Sequence, residues 1–329
     1  MAASQQAPTT TSVAEWFERR TYDHRRFDAA SLARRKRELD ATITAILPTR
    51  EVAGTIGTIL AQLHELNERF ALVDQIVVID ASSADGSATV AERAGAETYL
   101  ESEVLAWLGP ALGKGDAMWR ALSVARGDLV VYLDSDTLDF GPHFVTGVLG
   151  PLLATSDVRF VKATFSRPWK RSNELETDSG ARVTELTAKP LFNLFFPQLA
   201  GFAQPLAGEM AAARELFASI PFLTGYAVET GLLIDISREI GIDAMAQVDL
   251  GTRTNENQSL FELSKMGYAV LRAVEARLRQ DGRLRGEPIE LPADLDRYLH
   301  AIHSSAGLRF EQRGVELVER PPMLELVRR

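Results

Sequence analysis

Short runs of consecutive apolar residues alternate with longer stretches whose apolar positions recur every three or four residues, and this rhythm dominates residues 43–133. Residues 43–47 read as a strand ending at Pro48. Residues 52–66 read as a helix, with Ile56, Ile59, Leu60, Leu63 and Leu66 on one face. A second strand is predicted over 75–80, a polar loop over 81–86, and a helix over 87–94 closed by Gly95. Residues 96–100 form a short strand, and a helix over 115–126 leads into an apolar strand at 129–133. Strands alternating with helices at this spacing predict an α/β fold with a mostly parallel central sheet covered by helices.

The pattern continues less regularly. Residues 142–154 and 227–240 predict helices, 158–165 and 244–250 predict strands, and 259–280 predicts a long final helix. The polar stretch 166–180 lacks periodicity and reads as a loop beside a site. Segment 186–199, rich in Leu and Phe, reads as a core helix or a subunit contact. Residues 14–39 read as helix broken near 22–27 and packed outside the catalytic core, with Arg34 to Arg37 on a solvated face. We therefore divide the chain into an N-terminal tail and helical extension (1–40), a catalytic domain (41–265) with halves at 41–140 and 141–265, and a C-terminal helical extension and tail (266–329) that offers a dimer contact.

Composition narrows the function classes. The 329 residues are 46% hydrophobic and 25% charged, an ordinary globular balance. A net charge of -9 without a like-charge block argues against a nucleic-acid surface. The absence of Cys removes disulfides, thiolate catalysis and Cys-ligated zinc. The opening MAASQQAPTTTSVAEW has no basic region followed by an apolar core, and no run is long and apolar enough to span a membrane, so a cytoplasmic protein is expected.

The candidate chemistry sits where the strands end. The strand at 129–133 runs into Asp134-Ser135-Asp136, and the carboxyl ends of parallel strands are where such sheets bind ligands. Two carboxylates one residue apart suit Mg²⁺ or Mn²⁺ held against a diphosphate, and they equally suit an ordinary acidic turn. Asp80 ends an earlier strand, and it either contacts ribose or base or makes an Asx turn. Gly113-Lys114-Gly115 precedes a helix and brings a basic side chain near phosphate, or is a plain turn. Neither G-x-G-x-x-G nor a full Walker A motif is present in this half.

Several longer segments extend the pattern: ILPT (46–49), VVIDASSADGS (77–87), GKGDAMWRAL (113–122), VVYLDSDT (130–137), RVTELTAKPL (182–191), QPLAGEMAA (204–212), FLTGYAVETGLLID (222–235) and AQVDLGTRTNENQSL (246–260), with VERPPM near the C-terminus. In order and spacing they resemble the glucosyl-3-phosphoglycerate and mannosyl-3-phosphoglycerate synthases, retaining glycosyltransferases with a GT-A-like nucleotide-diphospho-sugar transferase fold. The resemblance implies hexose transfer from UDP-glucose or GDP-mannose to the 2-hydroxyl of 3-phosphoglycerate, with Mg²⁺ or Mn²⁺ as cofactor; the homodimer is expected from the Leu/Phe-rich segment 191–199 and the C-terminal extension. The resemblance places Pro48, Glu51 and Ser82 beside the nucleotide, where the strand-end reading also puts Asp80. Lys114 lies at the nucleotide or reacting phosphates, and Asp134, Ser135 and Asp136 at the donor and metal. Asp136 is the direct ligand. Arg182, Val183 and Thr184 form the acceptor site with Asn257. The Leu206 backbone faces the transferring sugar, Glu229 holds sugar hydroxyls, and Arg253 assists at phosphate.

Two positions depart from the family pattern. The first loop reads Pro48-Thr49-Arg50-Glu51, one residue shorter than Pro-x-x-Asn-Glu, and Asn255 stands where relatives carry a metal-binding His. Asn offers a neutral carbonyl oxygen in place of imidazole. The alternatives are a nucleotide-sugar-binding protein with impaired catalysis, or transfer to another small anionic acceptor.

Overall fold

The computed structural model describes residues 12–167, 169–171, 174–176, 181–254, 258–286, 297–304, 307–315 and 317–327. In chain order the first elements are α1 (Val13–Arg20), β1 (Thr21–Asp23), α2 (Ala29–Glu38), β2 (Ile43–Thr49), α3 (Ala53–Phe70), β3 (Gln75–Asp80), α4 (Ser87–Arg93), β4 (Glu97–Leu100), α5 (Lys114–Ala121), β5 (Leu129–Tyr132), α6 (His143–Ala154) and β6 (Phe160–Ser166). There follow β7 (Trp169–Arg171), β8 (Glu174–Glu176), α7 (Lys189–Phe195), β9 (Met210–Ala213), α8 (Arg214–Ser219), β10 (Phe222–Leu223), α9 (Val228–Ile240) and β11 (Met245–Thr252). The chain closes with α10 (Leu260–Gln280), β12 (Arg297–Ser304), β13 (Gly307–Gly314), β14 (Glu319–Arg320) and α11 (Met323–Val327).

One eight-stranded sheet organises the molecule, in the order β1-β11-β6-β9-β5-β2-β3-β4. All its neighbours are parallel except β9, which runs antiparallel to both β5 and β6. Alternate side chains enter two cores. Ile43, Ala45, Leu47, Val78 and Val131 pack into one, while Ile46, Val77, Ile79, Val130 and Tyr132 pack into the other. Burial on both faces explains the almost unbroken apolar runs in β2, β3 and β5. Because β2, β3, β5, β6 and β11 point the same way, their carboxyl ends line one edge, where the order reverses across β9.

The N-terminal extension departs from expectation. The predicted break at 22–27 falls between α1 and α2, but Thr21–Asp23 forms β1, which pairs with β11 and becomes an edge of the main sheet. Within the basic run, Lys36 is buried and its Nζ donates to Ala71 O and Asp74 at 2.9 and 2.7 Å. It therefore anchors α2 instead of lying on a solvated face. The C-terminal extension contains the β12–β13 hairpin in addition to helix, and α10 runs unbroken across 265/266. In the polar stretch 166–180, β7 and β8 make a small hairpin, and several of its residues lie outside the described set.

Candidate active site

Five charged side chains converge at the sheet's carboxyl edge. Lys114 is the first residue of α5, just after Gly113, whose φ of 79° suits glycine. Its Nζ lies 2.7 Å from Asp134 Oδ1 and 2.8 Å from Glu229 Oε1. Arg253 follows β11. Its Nη1 donates to Asp134 Oδ2 at 2.9 Å, and its Nη2 donates to Asp136 Oδ1 at 2.7 Å. Nη1 also lies 2.9 Å from Glu209. The result is a continuous chain of alternating charge, Glu229–Lys114–Asp134–Arg253–Asp136, with Glu209 behind it.

The electrostatics follow from that arrangement. Burial disfavours ionised Asp134, but Lys114 and Arg253 prevail and hold its carboxyl well below the usual range. The same burial opposes charge on Lys114 and Arg253, and their carboxylate partners overcome it, pushing both groups above their ordinary values. Glu209 is fully buried, and desolvation raises its carboxyl. Beneath the cluster, Lys162 on β6 donates to Ala207 O at 2.6 Å, and burial pushes its ammonium down to about 8. This bond fixes the loop before β9, which contains Leu206. Gly208 in the same loop lies against Asp134, and a Cβ there would sit 2.0 Å from Oδ1.

A second group of loops joins this cluster. Ser135 Oγ donates to Pro48 O at 2.6 Å, and Thr55 Oγ1 donates to Ser135 O at 2.6 Å. Glu51 and Ser82 both have left-handed backbones, with φ of 51° and 58°. Glu51 holds the two adjoining loops together: its N donates to Ser83 Oγ at 2.8 Å, and Ala84 N donates to its Oε1 at 2.7 Å. Of the two readings of Asp80, the turn is the one present here. The residue is fully buried, and its two oxygens accept from Ser83 N and Oγ at 2.7 and 2.8 Å. It offers no open face to ribose or base and acts by shaping the loop.

Arg182, Val183 and Thr184 begin the helical run that leads into α7. Arg182 Nη2 donates to Gln258 O at 3.2 Å, which ties this start to the connection that leaves Arg253. Asn255 and Asn257 belong to that connection but lie outside the described residues. His143 packs its ring against His24 and Phe144 at the start of α6, in keeping with a structural role.

Other side chains support the site from within the GKGDAMWRAL and VERPPM segments. Arg120, fully buried in α5, donates to the carbonyls of Val104 and Gly109 at 2.6 and 2.9 Å and thereby organises the loop before Lys114. The VERPPM segment clamps the same helix. Arg320 donates twice to buried Asp116, at 2.8 and 2.7 Å, and Trp119 Nε1 donates to Pro321 O at 2.8 Å. Glu319 pairs with Arg277, whose Nε donates to Asp235 of α9 at 2.8 Å. The two helices that supply Lys114 and Glu229 are therefore braced by one C-terminal segment.

Glu101, half-buried at the end of β4, is pushed up to about 7, first by burial and then by Asp116. A folded-state value above the unfolded 4.5 means that the native state binds the extra proton between these pH values. Stability should therefore fall as pH rises from about 4.5 to about 7. Glu101→Gln should flatten that part of the profile, as followed by denaturant midpoints across the range.

The cluster also bears on metal binding. Among the described residues no three His, Cys, Asp or Glu side chains come together as a metal cage. The side chain of Asp136 is 52% exposed, and only its Oδ1 is engaged, by Arg253. One accessible carboxylate beside a cationic pocket fits a hard divalent ion completed by substrate phosphates and water.

Residues 44–173 match glycosyl transferase family 2. The glucosyl-3-phosphoglycerate synthase of Petrotoga mobilis is 36% identical over 311 residues, covering 94% of each chain. The chain belongs to the glucosyl-3-phosphoglycerate and mannosyl-3-phosphoglycerate synthase family. Within this synthase family, the crystal structure of the mannosyl enzyme from Rubrobacter xylanophilus superposes with a TM-score of 0.89 at 58% identity, covering 95% of this chain and 99% of that one. The Mycobacterium tuberculosis glucosyl enzyme, in complex with Mn²⁺, UDP-glucose and phosphoglyceric acid, gives 0.77 at 34% identity, covering 93% and 98%. The mostly parallel sheet with its carboxyl-edge crevice is the family's nucleotide-sugar transferase fold.

Proposed function

We propose that the protein transfers glucose or mannose, with retention, from a nucleotide diphosphate donor to the 2-hydroxyl of 3-phosphoglycerate. The observation that supports this most directly is the Glu229–Lys114–Asp134–Arg253–Asp136 chain, tied through Gln258 to Arg182 at a helix start. Pro48, Glu51, Ser82 and Ser135 line the nucleotide side, with Asp80 shaping their loop. Arg182, Val183, Thr184 and Asn257 receive the acceptor. Glu229 holds sugar hydroxyls, and the Leu206 carbonyl faces the sugar.

Asp136, with Asn255 as a neutral oxygen donor, would hold Mg²⁺ or Mn²⁺, which neutralises charge on the departing diphosphate. Lys114 and Arg253 add fixed positive charge at the same place. The bond from the anomeric carbon to the diphosphate oxygen breaks as the acceptor O2 bond forms on the same face. The hydroxyl proton passes to the leaving phosphate oxygen, so no covalent nucleophile is required.

The deciding assay is phosphoglycerate-dependent release of UDP from UDP-glucose and of GDP from GDP-mannose, with Mg²⁺ or Mn²⁺. Turnover with either donor, abolished by EDTA, is expected. Intact donor binding without turnover would instead identify a repurposed binding protein. Asn255→His should lower the metal concentration for half-maximal rate by roughly tenfold, because imidazole is the stronger ligand for Mn²⁺. An unchanged metal titration would remove residue 255 from the metal site.

We also assign a cytoplasmic homodimer. No helix among the described residues is long and apolar enough to cross a membrane. An apolar trough between α7 and α10, lined by Leu191, Phe195, Leu271, Val274, Leu278 and Leu284, supports self-association. Sedimentation equilibrium should return twice the chain mass.

A further inference from the structure

Arg167 follows β6 at the carboxyl edge. The strand's last residue, Ser166, pairs in register with Thr252, and Arg253 N donates to Ser166 O at 3.0 Å. The Arg167 guanidinium lies over the Phe165 ring at 5.3 Å, and the Arg253 guanidinium lies over the same ring at 5.1 Å. One aromatic ring is therefore in contact with two guanidinium groups.

Their surroundings differ sharply. Arg253 is paired with Asp134, Asp136 and Glu209. Arg167 makes no hydrogen bond or ion pair among the described residues, and its buried Nε has no acceptor. Burial and then the positive charge of Arg253 lower its pKa, with Glu209, Asp134 and Asp136 opposing from further off. A half-buried guanidinium without an anion is unfavourable unless a ligand supplies one.

We propose that Arg167 binds the carboxylate of the acceptor. This rests on the reading of the protein as a phosphoglycerate hexosyltransferase. In 3-phosphoglycerate the reacting hydroxyl is on C2, and the carboxylate carbon is bonded directly to C2. The phosphate lies beyond C3 and an ester oxygen. When O2 reaches the anomeric carbon beside Asp134 and Asp136, the carboxylate is the acceptor anion nearest that cluster. Arg167 is the unpaired cation beside it. Arg182, at the start of the helical run, then serves the more distant phosphate. The planar guanidinium can grip both carboxylate oxygens, and the Phe165 ring fixes its plane.

The test compares wild type with Arg167→Gln and Arg167→Lys on two acceptors. Glycerol 3-phosphate keeps the C2 hydroxyl and the phosphate but lacks the carboxylate. Arg167→Gln should lower kcat/KM for 3-phosphoglycerate by about 10- to 100-fold, mainly through KM, as for loss of a charged hydrogen bond. The slow rate with glycerol 3-phosphate should not change. Arg167→Lys should recover part of the loss. Nucleoside diphosphate affinity with Mn²⁺, measured by calorimetry, should stay at the wild-type value. The melting temperature should stay within a few degrees of wild type, since the only native contact removed among the described residues is that with the Phe165 ring.

Equal losses on both acceptors, or weakened nucleotide binding, would assign Arg167 to the phosphates and overturn the proposal. Calorimetric titration of 3-phosphoglycerate onto the nucleotide-saturated protein separates this idea from the transfer reading. If wild type binds phosphoglycerate without turnover, transfer fails as the function, and the affinity lost in Arg167→Gln still decides the contact. If wild type does not bind it, both fall.

Discussion

Gly208→Ala should lower kcat by about 100-fold or more while leaving the melting temperature within a few degrees of wild type. The methyl carbon would arrive 2.0 Å from Asp134 Oδ1 and 2.5 Å from Cγ. The carboxylate cannot simply yield, because Lys114 holds one oxygen and Arg253 holds the other. Relief requires Asp134 to move by about an ångström, and misplacement on that scale is what reduces turnover so steeply. Residue 208 is not among the positive-φ glycines, so the effect comes from contact with Asp134 rather than from backbone strain. Steady-state kinetics with a thermal melt on the same sample check both halves. Wild-type turnover in the alanine variant would mean that the placement of Asp134 has little bearing on the reaction.

Arg253→Met should destabilise the fold by about 3–5 kcal/mol at neutral pH, in addition to removing activity. The side chain is 1% exposed and touches three carboxylates, of which Glu209 is also 1% exposed. Its loss leaves Glu209 without its ion-pair partner and Asp134 paired with Lys114 alone. The deficit should shrink as the solution is made acidic. In wild type, the depressed pKa of Asp134 gives stability that is complete above its ordinary 3.8 and is lost as pH falls toward the lower folded value. In the variant the buried carboxylates accept protons more readily, which removes their desolvation cost. Urea midpoints of both proteins at pH 7 and about pH 5 test this. A deficit that stays constant or grows on acidification would contradict the electrostatic account.

The sequence displayed the sheet where a strand buried on both faces is a run of large and β-branched apolar residues, as in β2, β3 and β5. Residues 75–80 were bounded correctly, and α3 buries the five apolar residues that its periodicity selected. Strand β9 was hidden because Met-Ala-Ala-Ala has no β-branched residue, and its place is set by β5 and β6 on either side. Strand β1 has three residues and is specified by its partner β11 rather than by any local pattern. In the site, Asp134, Asp136 and Lys114 stood out because they follow recognisable strand and turn boundaries. Glu209 and Lys162 did not, since a single charge within an apolar run carries no periodic signal. Arg167 lay in a stretch read only as loop. The family resemblance supplied Glu229 and Arg253, whose meeting with Lys114 and Asp134 depends on contacts more than 100 residues apart.

The clamp between Arg320 and Asp116 has a consequence for biosynthesis. The two residues are 204 positions apart, and Asp116 is wholly enclosed in the finished fold. At 5–20 residues per second, the ribosome needs about 10–40 s to travel between them. Throughout that interval the helix beginning at Lys114 lacks its brace, and the Asp116 carboxylate waits for its guanidinium partner. The nascent chain can assemble most of its sheet early, yet the helix that begins at Lys114 gains this clamp only after Arg320 has left the exit tunnel.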